Sequence, residues 1–164
     1  MEVGTEQFPY TSKITITMHG DVNTPALPTY GNKNIAVRKG ELHLVGKERK
    51  VTWTMLDKTA NIGDTTITLQ SQVAGSFDWA IGEEIVIAST SFDHKEAETR
   101  FITAVGVDAA DSTKPKLTLG SPLIYKHYAA TETYGTDTID MRAEVGLLTR
   151  NVKYQGDPET SAKN

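Results

Sequence analysis

Alternation of apolar and polar residues with a period of two recurs along this chain and leaves room for little but short β-strands. Residues 13–18, 41–45, 51–55 and 65–69 alternate in this way, and residues 100–105, 116–119, 136–141 and 151–154 continue the series. Residues 84–88 are more continuously apolar, as expected of a strand covered on both faces. Threonine and other β-branched residues fill these runs and suit a pleated surface. Glycines fall mostly between them, where tight turns call for positive φ. No stretch carries the 3.6-residue period of a long amphipathic helix; a single helical turn near residues 94–98 or 61–63 is the most the pattern allows. About ten short strands without a strict repeat predict an all-β fold: a sandwich, a β-roll or the coils of a β-solenoid.

Composition narrows the function classes. The 164 residues suffice for one domain with a core, and 38% hydrophobic residues suit sheets with one wet face. The net charge is −4 and no lysine- or arginine-rich run occurs, which argues against nucleic-acid binding. No basic amphipathic helix is present to lie on a membrane, so direct membrane contact is not expected. With no cysteine, disulfides, thiolate metal sites and cysteine nucleophiles are excluded within the stretch. The opening residues have neither the basic start nor the apolar core of a signal peptide. No apolar run approaches the roughly 18–20 residues of a membrane span. These features fit a domain excised from a longer chain, with any signal and anchor elsewhere.

Four stretches carry more than fold class. The first holds His19-Gly-Asp21, then Thr24-Pro-Ala-Leu-Pro-Thr-Tyr-Gly31 and a run from Ile35 to Gly46. The others are Val51-Thr-Trp-Thr-Met-Leu56, then Trp79-Ala-Ile-Gly-Glu-Glu-Ile-Val-Ile-Ala-Ser-Thr90, and last Asp140-Met-Arg-Ala-Glu-Val-Gly-Leu-Leu-Thr-Arg-Asn151. In this order, over roughly residues 13–156, they resemble the G8 domain of the fibrocystin and fibrocystin-L group. The third and fourth also resemble segments of the cell-migration-inducing, hyaluronan-degrading proteins. The resemblance implies a G8-type β-roll or β-solenoid leading into a parallel β-helix. It also implies a large extracellular, membrane-anchored or secreted protein with IPT/TIG modules and β-helix repeats as neighbours, in settings such as cilia and stereocilia. The expected organisation is an extension at residues 1–12, the G8 domain at 13–135, the last strands and start of the β-helix at 136–156, and a flexible tail at 157–164.

The candidate site residues divide into three groups. His19 and Asp21 flank a glycine where a strand enters the proline-rich loop of residues 21–34, a pairing suited to a general base or a metal. The plainer alternative has Asp21 capping a turn. His94, Glu96 and Glu98 would line one face if extended and, with Asp93 nearby, take a divalent ion, calcium being the candidate; as a helical turn they form only a charged surface. Tyr125, His127 and Tyr128 offer ring faces to a glycan. Trp53, Trp79, Gly82, Arg142, Glu144 and Gly146 are expected to be structural: Gly82 turns the chain while the Trp79 indole covers a strand edge, Arg142 and Glu144 can pair, and residues 142–150 can stack inside a solenoid. No motif of a serine nucleophile, a phosphate-binding loop or a zinc protease occurs. The leading expectation is therefore a non-enzymatic extracellular module that caps a β-helix and presents loops to a glycan or protein, with no required cofactor. The alternatives are part of a hyaluronan-binding or hyaluronan-degrading ectodomain, and a divalent-ion-dependent adhesion module.

Overall fold

A computed structural model describes residues 1–73 and 75–161. In chain order its strands are β1 (Glu2–Val3), β2 (Ile14–Met18), β3 (His43–Leu44), β4 (Trp53–Met55), β5 (Thr66–Thr68), β6 (Glu84–Ile87), β7 (Glu98–Val107), β8 (Pro115–Leu119), β9 (Thr131–Tyr134), β10 (Asp137–Asp140), β11 (Glu144–Leu147) and β12 (Val152–Gly156). One 3-10 turn, His94–Glu96, and one helical turn, α1 (Pro158–Ser161), are the helical elements among the described residues. The fold is all-β, as the alternation predicts. Residues 162–164 of the expected tail lie outside the described residues.

The chain divides into two compact units, one of Met1–Glu48 with Arg150 onward and one of Arg49–Thr149. In the second, six strands form an antiparallel sheet in the order β4-β11-β6-β7-β8-β5. A bulge in β7 between Ile102 and Ala104 bends the sheet, and a bridge between Leu56 and Leu69 joins the ends of its two edge strands. The sheet thus curls around one apolar core. Leu56, Leu69, Ile85, Ile87, Leu117 and Val145 are completely buried in it. Among the described residues this core lies wholly between Val51 and Leu147. The β9–β10 hairpin turns through Gly135 at φ 65°.

Two expectations change here. Residues 84–88 are not covered on both faces: Ile85 and Ile87 are buried while Glu84 and Val86 are half-buried. Residues 142–150 do not form a parallel solenoid coil. β11 runs antiparallel between β4 and β6, and Val145 and Leu147 point into the sheet's own core. The same small and apolar residues satisfy either environment, so composition alone does not separate the two.

The first unit is built from parallel pairs. Glu2 and Val3 pair with His43 and Leu44, Tyr10 bridges Gly46, and β2 pairs with β12 from Ile14–Val152 to Met18–Gly156. Asn151 stitches the bend before β12. Its Oδ1 accepts from Lys47 N at 3.0 Å, and its Nδ2 donates to the carbonyls of Tyr10 and Ser12. Gly4 sits at φ 73°, where a Cβ would collide with Val45 O and lie 2.5 Å from Tyr10 N. Gly4→Ala is accordingly expected to open the β1–β3 ladder at a cost of about 1–3 kcal/mol. Amide exchange should accelerate at Tyr10 and Val45 while the six-stranded sheet is unaffected; unchanged exchange at those two amides would contradict the close approach.

Candidate functional site

The most developed site belongs to the six-stranded unit and starts from a buried charge cluster. Glu98 and Arg100 occupy inward positions at the start of β7, and His127 is fully buried. Glu98 Oε1 accepts from Tyr125 N at 3.0 Å and His127 Nε2 at 2.8 Å. Its Oε2 accepts from Ile124 N at 3.0 Å and from Arg100 Nη2. The other His127 nitrogen, Nδ1, donates to Ala88 O at 2.9 Å. Arg100 also donates to Pro122 O and Thr99 O. All three side chains are thus hydrogen-bonded, the condition under which buried polar and charged groups are tolerated.

Burial pushes the Glu98 carboxyl up. The N–H of Ile124, the His127 ring, the N–H of Tyr125 and the Arg100 charge together outweigh it and hold the carboxyl below the ordinary glutamate range. A folded pKa below the unfolded one gives stability that is present above the unfolded value and lost as pH falls through it toward the folded value. Asp140, pulled to about 2 mainly by the Arg142 hydrogen bond, acts in the same direction. The melting temperature should hold above about pH 5 and fall below the ordinary glutamate value. Glu98→Gln should flatten that acid limb, and an unaltered limb would count against the assignment.

This cluster fixes the segment above it. Residues 124–129 are tied to Glu98 from one side, to Ala60 by a bridge at His127, and to Thr90 and Thr59 through the N–H groups of Tyr128 and Ala129. The held segment forms one wall of an open cleft of about 560 Å³. Tyr125, Tyr128 and Tyr134 line it with Glu96, Glu132 and Lys126. Ile62 and Met141 contribute apolar surface, and Thr90 and Ser91 contribute hydroxyls. The Tyr128 hydroxyl donates to Glu132 Oε1, and that carboxylate holds the hydroxyl above the ordinary tyrosine value, so it remains a donor.

The structure redistributes the expected site residues. Glu96, Tyr125 and Tyr128 converge in the cleft. His127 does not: its ring is buried beneath the segment and cannot meet a glycan, because Glu98 and Ala88 O take both nitrogens. Asp93 caps the 3-10 turn by accepting from Lys95 N at 2.9 Å, and His94 is exposed beside it. Because the segment turns and Glu98 faces inward, no single face carries His94, Glu96 and Glu98; among the described residues no group of three or more His, Asp or Glu is placed to hold a metal ion.

His19 and Asp21 belong to the first unit. Asp21 Oδ1 accepts from Asn23 N and Thr24 Oγ1, a turn cap, while exposed His19 lies 3.4 Å from Asp157. Arg142 pairs with Asp140, Nη2 to Oδ2 at 2.5 Å, and not with Glu144. Asp140 also accepts from the Arg142 backbone N–H, whereas Glu144 has already entered β11. Trp53, expected to be structural, is 56% exposed opposite Gly146 in β11. At Gly146 an added Cβ would come within 3.3 Å of Val86 Cγ1, so the small residue suits the close approach of β6.

The third motif stretch acquires a physical basis. Trp79 is buried, donates to Val51 O at 2.8 Å and packs on Phe77 with ring centroids 5.1 Å apart. Gly82 turns at φ 85°. Glu83, a neighbour that alternation does not single out, caps this turn by accepting from Ala80 N and pairs with Arg49 through both oxygens.

The fold and cleft define an all-β module with a tyrosine-lined recess and no assembled metal group among the described residues. Residues 1–57 match the family model of the G8 domain. The chain is 42% identical over 159 residues to fibrocystin-L of Mus musculus and 41% identical over 165 residues to fibrocystin-L of Homo sapiens, covering 95% and 100% of this chain. It is 32% identical over 156 residues to fibrocystin of Mus musculus, covering 95% of this chain. The chain belongs to the G8-domain family and is similar throughout to part of fibrocystin-L. It spans about 4% of the length of each of these relatives.

Proposed function

We propose that this chain is a non-enzymatic recognition and structural module of a large, extracellular fibrocystin-like protein, and that its ligand enters the tyrosine-lined cleft. The observation that carries the reading is the cleft itself: aromatic rings and hydrogen-bonding groups converge on one recess whose wall is held by a buried charge cluster. Binding sites of this kind combine apolar bodies with a few placed polar groups. A wall fixed before binding also lowers the ordering cost of association.

The parallel pairs of the first unit support a second role in the same protein. β1, Tyr10 and β2 stack on β3, Gly46 and β12 as two successive coils of a β-helix would. Among the described residues β12 pairs on one edge only. In this reading the following chain of the longer protein adds its next coil along that edge, and the first coil caps the stack. The IPT/TIG and β-helix neighbours belong to the same proposal.

Incubation with high-molecular-weight hyaluronan, with and without calcium, tests the non-enzymatic part. Retention without shortening, or neither, is the expected result. Shortening that vanishes in Glu132→Gln would make the cleft a hydrolase site, and retention that requires calcium would favour ion-dependent adhesion.

A further inference from the structure

The ligand class follows from the charges in the cleft. Its ionisable groups are two carboxylates, Glu96 and Glu132, and one ammonium, Lys126, set among three tyrosines. A polyanionic glycan would bring its own carboxylates against Glu96 and Glu132. A cation meets the opposite situation, since the carboxylates attract it and tyrosine rings favour a cation over an anion at their faces. Glu132 is held in place by Tyr128 OH, and Tyr128 by Thr90 through its backbone N–H. One acid and one ring are therefore oriented together before any ligand arrives. Thr90 lines the same recess, and its Oγ1, which accepts from Tyr128 N, has a second lone pair for a hydrogen of a primary ammonium. The apolar surfaces of Ile62 and Met141 suit the methylene stem that such a group carries.

We propose that the cleft of Tyr125, Tyr128, Tyr134, Glu96 and Glu132 takes an alkylammonium group, in the form of a lysine side chain on a partner protein. This rests on the recognition reading above and names its ligand. Lys126 sets the specificity limit: it leaves the recess with a single net negative charge, enough for one lysine and unfavourable for a run of adjacent basic residues.

The test is a titration of the isotope-labelled full chain, followed amide by amide. The probes are Nα-acetyl-lysine amide, its neutral analogue Nα-acetyl-norleucine amide, and a hyaluronan hexasaccharide. The lysine probe is expected to shift the amides of Lys126, Tyr128, Glu132 and Tyr134 with a Kd of about 1 mM, as befits one small group. Glu96→Gln and Glu132→Gln, with unchanged melting temperatures, should each weaken it by about fivefold, and added salt should weaken it further. Equal shifts from norleucine would overturn the charge argument. Shifts from the hexasaccharide with lysine silent would overturn the cation and leave a recognition site standing. Silence of all three probes at the cleft would overturn both readings.

Discussion

Glu98→Ala is expected to destabilise the six-stranded unit by about 3–5 kcal/mol, the usual cost of removing one member of a buried charge cluster. Four donors lose their acceptor at once: the N–H groups of Ile124 and Tyr125, Arg100 Nη2 and His127 Nε2. Glu98 is 6% exposed, Arg100 9% and His127 not at all, so water cannot readily replace the lost carboxylate. Arg100 and His127 would then be left without the carboxylate that both contact. Denaturant unfolding of the purified variant measures the effect. A loss below about 1 kcal/mol would mean that the cluster is wetter than its burial indicates. Replacing Glu98, Arg100 and His127 together by leucine should recover much of the stability, because apolar packing often matches a buried ionic cluster. The cleft wall would still be loosened, since the Ile124 and Tyr125 amides would remain without a partner.

Trp79→Ala should cost a comparable 3–5 kcal/mol, whereas Trp53→Ala should cost about 1 kcal/mol or less. The two tryptophans sit in opposite environments. Trp79 is buried, stacks at a tilt on Phe77 and uses its ring N–H on Val51 O. Its loss opens a large cavity and strands that carbonyl. Trp53 faces outward from β4, with glycine rather than a side chain opposite it in β11. Thermal melts of the two variants would separate them. Comparable losses at both positions would contradict the exposure of Trp53 and place it in a covered contact.

Most strands are legible in the sequence because alternation marks a sheet with one wet face, and the runs at residues 13–18, 84–88 and 116–119 coincide closely with β2, β6 and β8. Pairing partners are not legible, because period two says which side chains share a face and nothing about which strand lies beside which. β11 illustrates this: its alternation suits a solenoid coil, yet it sits antiparallel at the heart of the curled sheet. The buried cluster escapes sequence reasoning for a different reason. Charged residues at alternating positions are ordinarily assigned to the wet face, and Glu98 groups with His94 and Glu96 rather than with the core. A usable signal does exist. Glu98, Arg100 and Ile102 share one face of β7, and Leu123, His127 and Ala129, spaced four and then two residues apart, are all buried. The aromatic neighbours of His127 suggest glycan contact at the histidine, while the neighbours themselves, Tyr125 and Tyr128, are the residues that reach the cleft.

A cleft wall that is rigid before any ligand binds is central to the proposed site, and amide hydrogen exchange at Ile124 and Tyr125 tests this most directly. Ile124 is 63% exposed as a residue, yet its N–H ends on a buried carboxylate. Exchange at both amides is predicted to be slow, approaching the rate set by global unfolding, and to accelerate by orders of magnitude in Glu98→Ala. Fast exchange in the unmodified chain, at the rate of an ordinary surface loop, would contradict a preformed wall and with it the recognition site built upon it.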